Sequence, residues 1–301
     1  MNTAEMTAKI AAGHGFIAAL DQSGGSTPKA LKGYGIEEGA WADDAGMFDL
    51  IHQMRVRIIT SPTFTGDKVI AAILFERTMD GQANGTPVPQ ALHDRGVVPF
   101  LKIDKGLEDE ANGVQLMKPM PGLDALLTRA ATLGLFGTKE RSVINFANRQ
   151  GIAAIIAQQF EVAQQVLGQG MVPIIEPEVN IESPERAEAD AILADELKKA
   201  LDAMTGDAKV MLKLSLPANR GQYATLAAHP RVLKVVALSG GFHRAEACGE
   251  LARNKGMIAS FSRALLEDLR FQMTDAEFDA SLGAAIDEIY TASVEKTADA
   301  A

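Results

Sequence analysis

The chain is poor in cysteine, in aromatic residues and in long apolar runs, and each shortage excludes something. Cys248 is the only cysteine in 301 residues, so no intrachain disulfide can form and a reducing, cytoplasmic compartment fits. It sits in Arg244-Ala245-Glu246-Ala247-Cys248, a helix-like stretch where a small packing residue is expected. Aromatics make up 5% of the chain, with Trp41 the single tryptophan, which offers no base-stacking platform. No apolar run approaches the ~20 residues of a membrane-spanning helix. Residues 1–13 lack the basic-then-apolar layout of a secretory signal. Positive charge is scarce too: the formal net charge is −10, which argues against a nucleic-acid or membrane surface. The histidines, His14, His52, His93, His229 and His243, show no ligand spacing such as His-x-His or His-Glu-x-x-His, so no metal and no cofactor is expected.

What is present is alternation. Apolar runs over 15–20, 69–75, 97–103, 135–141, 171–178, 210–217, 232–238 and 256–261 are separated by stretches with helical periodicity. Of these runs, 135–141 is the weakest on composition. Helices are expected over 3–12, 44–59, 88–95, 123–133, 145–167, from Ser183-Pro184, over 221–228 and 244–254, and from Thr274-Asp275-Ala276-Glu277, a capping-box pattern. Alternation of this kind predicts a parallel sheet. Eight such units in a body of ~250 residues match a closed α/β barrel, (β/α)8, with extra helices at both ends. One domain over 1–301 is expected, since no low-complexity linker interrupts the chain. The runner-up is an open doubly wound sheet, weakened because no Gly-x-Gly-x-x-Gly follows the first strand. Residues 297–301 are expected to fray.

The charges fall at one end of this pattern. Asp21, Lys105, Lys139, Glu176, Glu178, Lys213, Ser239 and Arg263 all stand at or just past the carboxyl ends of strand candidates. In a barrel those ends converge on one mouth. Lys213 lies in the apolar run Val210-Met211-Leu212-Lys213-Leu214. Burying an ammonium is costly, and a lysine held partly neutral is a nucleophile toward carbonyl carbon. The reading is an imine on Lys213; the plainer one is a lysine that snorkels from a strand end. Lys139 would keep the amine at 213 partly neutral. Glu176 and Glu178 are two apart, so both point the same way on an extended segment, and one can shuttle protons. Ser239-Gly240-Gly241 before a helix is a candidate anion site, with Arg263 as a bidentate phosphate partner. Lys105, and Ser26 with Lys29, could hold a second phosphate.

These residues also carry a resemblance. Ile17-Ala18-Ala19-Leu20-Asp21-Gln22-Ser23-Gly24-Gly25-Ser26, Leu101-Lys102-Ile103-Asp104-Lys105-Gly106, Pro173-Ile174-Ile175-Glu176-Pro177-Glu178, Leu212-Lys213, Leu238-Ser239-Gly240-Gly241 and Phe261-Ser262-Arg263 stand in a specific joint order. Over about 15–269 the chain resembles class I fructose-1,6-bisphosphate aldolase in its short bacterial form, a glycolytic and gluconeogenic lyase. The resemblance implies a metal-independent barrel in which Lys213 forms the imine and Glu176 is its acid/base, with Glu178 and Lys139 beside it. It implies that Asp21 handles the C4 hydroxyl proton. Ser239, Gly240 and Arg263 would hold the ketone-side phosphate, and Lys105, Ser26 and Arg141 would line the other phosphate site. The partner is then a phosphorylated sugar, and a homo-oligomer is compatible. The chain departs from the family at Gln22, where many members have Glu, and at Ala30, where better-known members have a phosphate-contacting arginine. Rival readings are another lysine aldolase, a metal-dependent barrel lyase and a non-catalytic barrel.

Overall fold

Eight runs of small and branched apolar residues become parallel strands, and four of them are buried at every position. In the structure, a computed structural model that describes residues 1–297, these are β1 Phe16–Leu20, β2 Val69–Leu74, β3 Val98–Lys102, β4 Gly137–Ile144, β5 Val172–Val179, β6 Val210–Ser215, β7 Val232–Leu238 and β8 Met257–Phe261. Such runs suit strands covered on both faces. Each strand pairs in parallel with the next, from β1–β2 round to β7–β8. β1 then pairs with β8, with Ile17 opposite Ser260, so the sheet closes. This is the expected (β/α)8 barrel, and the open-sheet alternative is overturned by that last pairing.

Side-chain parity divides the barrel. Ile17, Ala19, Ile73, Val98, Phe100, Ile174, Met211, Val236 and Ile258 form an inner cluster, joined by Met6 and Ile10 of the helix Thr3–Ala12. That helix seals the end opposite the mouth. The alternate residues, such as Leu20, Leu74, Leu101, Ile175, Leu212, Leu214 and Val235, pack outward under the helices. Among the described residues four helices start on a short polar side chain; Asp43, for example, accepts from Gly46 N at 2.9 Å and Asn148 from Gly151 N at 2.9 Å. The capping box at Thr274 and Glu277 opens Asp275–Val294, the extra C-terminal helix.

Several boundaries differ from the sequence reading. β4 is longer than expected and runs to Ile144, because outward Ser142 and Ile144 are buried under the following helix. The helix expected over 221–228 shrinks to Ala224–Ala227. The one expected from Ser183 begins at Arg186, and Ser183 caps a turn instead, accepting from Glu185 N at 3.3 Å. The first helix runs over Thr3–Ala12 as expected, with Asn2 and Glu5 forming its capping box. A helix over Ser26–Gly33 and a hairpin pairing Gln82–Ala83 with Thr86–Pro87 were not expected. Of the expected fraying over 297–301, all but Thr297 lies outside the described residues.

Candidate functional site

Inner-face parity carries the polar side chains straight on from the apolar cluster. Asp21 follows Ile17 and Ala19, Lys102 and Asp104 follow Phe100, and Lys139 and Arg141 follow Gly137. Glu176 and Glu178 follow Ile174, while Lys213 follows Met211. All of them line one cavity of about 430 Å³ at the carboxyl ends of the strands, the place where barrels hold chemistry.

At its base the charges alternate. The Lys213 Nζ lies 3.0 Å from Glu176 Oε1, and the other oxygen of Glu176 lies 3.0 Å from Lys139 Nζ. Lys139 Nζ is also 2.6 Å from Asp21 Oδ2. Lys213, Lys139, Glu176 and Asp21 are 4%, 3%, 3% and 7% exposed, so their charges meet with little water between them. Burial works against the Asp21 anion, but Lys139 and then Lys213 outweigh it and hold the carboxyl well below the usual range. Burial likewise opposes the Lys139 cation, and Asp21 and Glu176 overcome it and raise the lysine. Glu176 is lowered too, with Lys139 and Lys213 outweighing burial. Gln159 fixes this strand from behind by donating to the Glu176 backbone carbonyl at 3.2 Å.

Around the rim the expected residues divide. Arg141 pairs with Glu178. Ser239 and Gly240 line the cavity with Leu238, and Gly240 takes φ 64°. A Cβ on Gly240 would sit 2.7 Å from Ile181 Cγ2, so both conformation and space require glycine. Arg263 lines the cavity beside this turn, and among the described residues its side chain carries no ion pair or hydrogen bond. The same holds for Lys29 on the opposite rim. Two uncommitted cations on one cavity suit a ligand with negative charge at two places. Ser26 also lines it, donating to Ser23 O at 2.8 Å.

Lys105 departs from expectation. It has the outward parity of Leu101 and Ile103, is absent from the cavity wall, and pairs with Glu76 at 2.9 Å. Lys102 is the lysine that lines the mouth, bound to Asp104 Oδ1 at 2.6 Å. Counting by twos from Phe100 would have selected it. The sequence reading also gave no part to Arg55. This guanidinium is 1% exposed on the helix Asp44–Thr60, donates to Thr78 Oγ1 at 2.8 Å, and holds the backbone oxygen of Gln22. Burial lowers its pKa to about 10, opposed by Asp21. Gln22 in turn donates to Ser262 Oγ at 2.6 Å, tying the β1 loop to the β8 loop. No sequence periodicity links positions 22, 55 and 262. His243 is 85% exposed by side chain and pairs with Glu267 away from the cavity. Among the described residues no three His, Cys, Asp or Glu side chains gather as a metal-ligand set, and no helix is long and apolar enough to cross a membrane.

A closed parallel barrel with paired lysines and carboxylates at the carboxyl ends of its strands has the build of a barrel enzyme. The family model described as fructose-bisphosphate aldolase class-I, a glycolytic family, matches residues 2–217, and the chain belongs to that family. Among solved structures, it is similar to the fructose-bisphosphate aldolase of Plasmodium falciparum, solved with TRAP and a small-molecule inhibitor. That match has a TM-score of 0.80 and 20% identity, over 98% of this chain and 96% of that one. A protein from Corynebacterium glutamicum is similar at a TM-score of 0.53 and 12% identity, over 96% and 92% of the two chains. At those identities the likeness speaks for the fold; the family match makes the protein an aldolase.

Proposed function

We propose that this aldolase cleaves fructose 1,6-bisphosphate reversibly to dihydroxyacetone phosphate and glyceraldehyde 3-phosphate, without a metal, through an imine on Lys213, in cytoplasmic glycolysis and gluconeogenesis. One observation carries the reading: Glu176 bridges two buried lysines, 3.0 Å from each. A carboxylate so placed can take a proton from one amine while the second lysine balances its charge.

The Lys213 amine attacks the C2 ketone, and the carbinolamine loses water, with Glu176 giving the proton that hydroxide leaves with. Asp21 takes the C4 hydroxyl proton as the C3–C4 bond breaks. The bond's electron pair flows into the iminium and leaves an enamine, and the aldehyde departs. One proton is returned to C3, balancing the one Asp21 took from the C4 hydroxyl, and addition of water to the iminium so formed releases the amine and the second product. Lys139 keeps Asp21 ionised, which a base requires. Ser239, Gly240 and Arg263 hold the ketone-side phosphate, and Lys29, Ser26 and Arg141 face the other end.

A second reading has a specific observation behind it. With Ala30 in the chain and Lys105 committed to Glu76, the aldehyde-side phosphate has few cations, which favours a ketose 1-phosphate as substrate. Rates on substrates with one and two phosphates separate the two. For the imine itself, reduction with borohydride in the presence of dihydroxyacetone phosphate should attach a three-carbon adduct to Lys213, located by peptide mapping. Lys213→Met should lower kcat by at least about a thousandfold. An adduct on another residue, or none, overturns the mechanism.

A further inference from the structure

Glu140 lies on the face of β4 turned away from the mouth. Its side chain has no solvent exposure, and among the described residues neither carboxyl oxygen has a hydrogen-bond partner. It stands between Lys139 and Arg141, which point into the mouth and have carboxylates of their own. The charged groups facing it are Asp104 from the segment after β3, Glu176 from β5 and Lys139 from its own strand. The helix Arg149–Gly168, packed over β4 and β5, turns Ile152, Ile155, Ile156 and Val162 inward, with neutral Gln159 as its one buried polar side chain. Arg129 of the helix Leu123–Thr132 is engaged with Glu76 and Asp80. Thr138 and Ser142 flank Glu140 on the same face, fully buried with unpaired hydroxyls. Among the described residues this patch offers the carboxylate no cation of its own, and the only N–H beside its oxygens, its own backbone amide, makes no hydrogen bond of ordinary geometry.

An ionised carboxylate buried without partners is among the costliest groups a protein can hold; the neutral acid costs far less. We propose that Glu140 is carried as a neutral carboxylic acid, and that its neutrality is a positioning device that keeps the lysine–carboxylate mouth in charge balance. Burial favours the neutral form, Asp104 and Glu176 add to it, and Lys139 and the residue's own backbone N–H oppose it, with the net result well above the usual carboxyl range. The balance is visible in the ion pairs: Asp21, Asp104, Glu176 and Glu178 are matched by Lys102, Lys139, Lys213 and Arg141. An ionised Glu140 would add an unmatched anion behind Lys139, and an added anion favours protonated amines. An imine-forming lysine needs the free amine, so this consequence rests on the function proposed above.

Glu140→Gln keeps the shape and removes the acid. The folded protein holds a proton here that the unfolded chain releases above about pH 4.3. Wild-type stability therefore loses a contribution as pH rises past that point, and the variant does not. The Tm difference should be small near about pH 4 and should widen in favour of Glu140→Gln toward about pH 8. At neutral pH the variant's kcat should stay within about twofold of wild type, with activity reaching further into the alkaline range. A variant less stable than wild type at neutral pH, or a Tm difference that does not change with pH, overturns the proposal. Glu140→Met, also neutral, should behave with the same sign; failure of both variants to fold would mean that the charge is required and overturns it too. The Tm comparison does not depend on imine chemistry. A failed trapping experiment leaves it standing, and a reversed Tm trend beside a trapped Lys213 removes only the role of Glu140.

Discussion

At the residue scale, Lys139 decides the character of the mouth. Among the described residues it is the cation in ion-pair contact with both Asp21 and Glu176, and removing one partner of a buried charge set is expensive because the others stay buried. Lys139→Met should therefore cost about 3–5 kcal/mol of unfolding free energy by denaturant titration. It should also act on the chemistry. With Lys139 gone, burial is the leading influence on Asp21, so its carboxyl should rise and the acidic limb of kcat against pH should move to higher pH. A limb that stays in place would show that Lys139 does not hold Asp21 ionised. Parity explains why most of this site could be read from the chain. Asp21, Lys139, Glu176, Glu178 and Lys213 each continue an inner-face series on their own strand, so local spacing predicted their convergence. Lys105 misled because standing near a strand end is not enough: a shift of one residue moves a side chain from the mouth to the outside.

At the element scale, the βα turns set the ligand's possible positions. Ser239-Gly240-Gly241 leaves β7 with two successive glycines in the left-handed region, and Ile181 from the turn after β5 packs against the first. Gly240→Ala meets both the φ penalty and the 2.7 Å approach of Ile181. We expect KM for the phosphorylated substrate to rise by about tenfold or more, with kcat less affected, since the loss falls on binding. Adding Ile181→Ala should restore only the steric part. An unchanged KM in the single variant would remove this turn from the phosphate site. The clasp on the facing rim, from Arg55 to Gln22 to Ser262, joins three separate elements. Its members were invisible in the sequence because their spacing in the chain is unrelated to their spacing across the barrel.

At the scale of the whole molecule, buried charge makes stability depend on pH in two opposed ways. Asp21, Glu76 and Glu176 have pKa values lowered in the folded state. Their contribution is therefore fully present above the unfolded carboxyl range, about pH 4, and is lost as pH falls through the folded values. Glu140 and Asp190 are raised by burial, and their effect has the opposite sign, weakening the fold as pH climbs past the same range. Together they predict a stability maximum on the acidic side of neutrality, with cooperative unfolding in strong acid. Circular dichroism against pH checks it, and stability that keeps increasing up to about pH 9 would contradict it.

The sequence by itself determined the architecture: eight apolar runs alternating with amphipathic helices leave a parallel barrel as the way to bury both faces of every strand. It also determined the chemical equipment of the mouth, because period-two spacing along a strand is a local property. Only the tertiary structure decided which charges are partners. That Glu176 lies between two lysines, that Lys105 is taken by Glu76, and that the Glu140 carboxyl has no hydrogen-bond partner among the described residues depend on distances across strands and helices far apart in the chain. Coulomb and desolvation energies follow those distances, and only folding sets them.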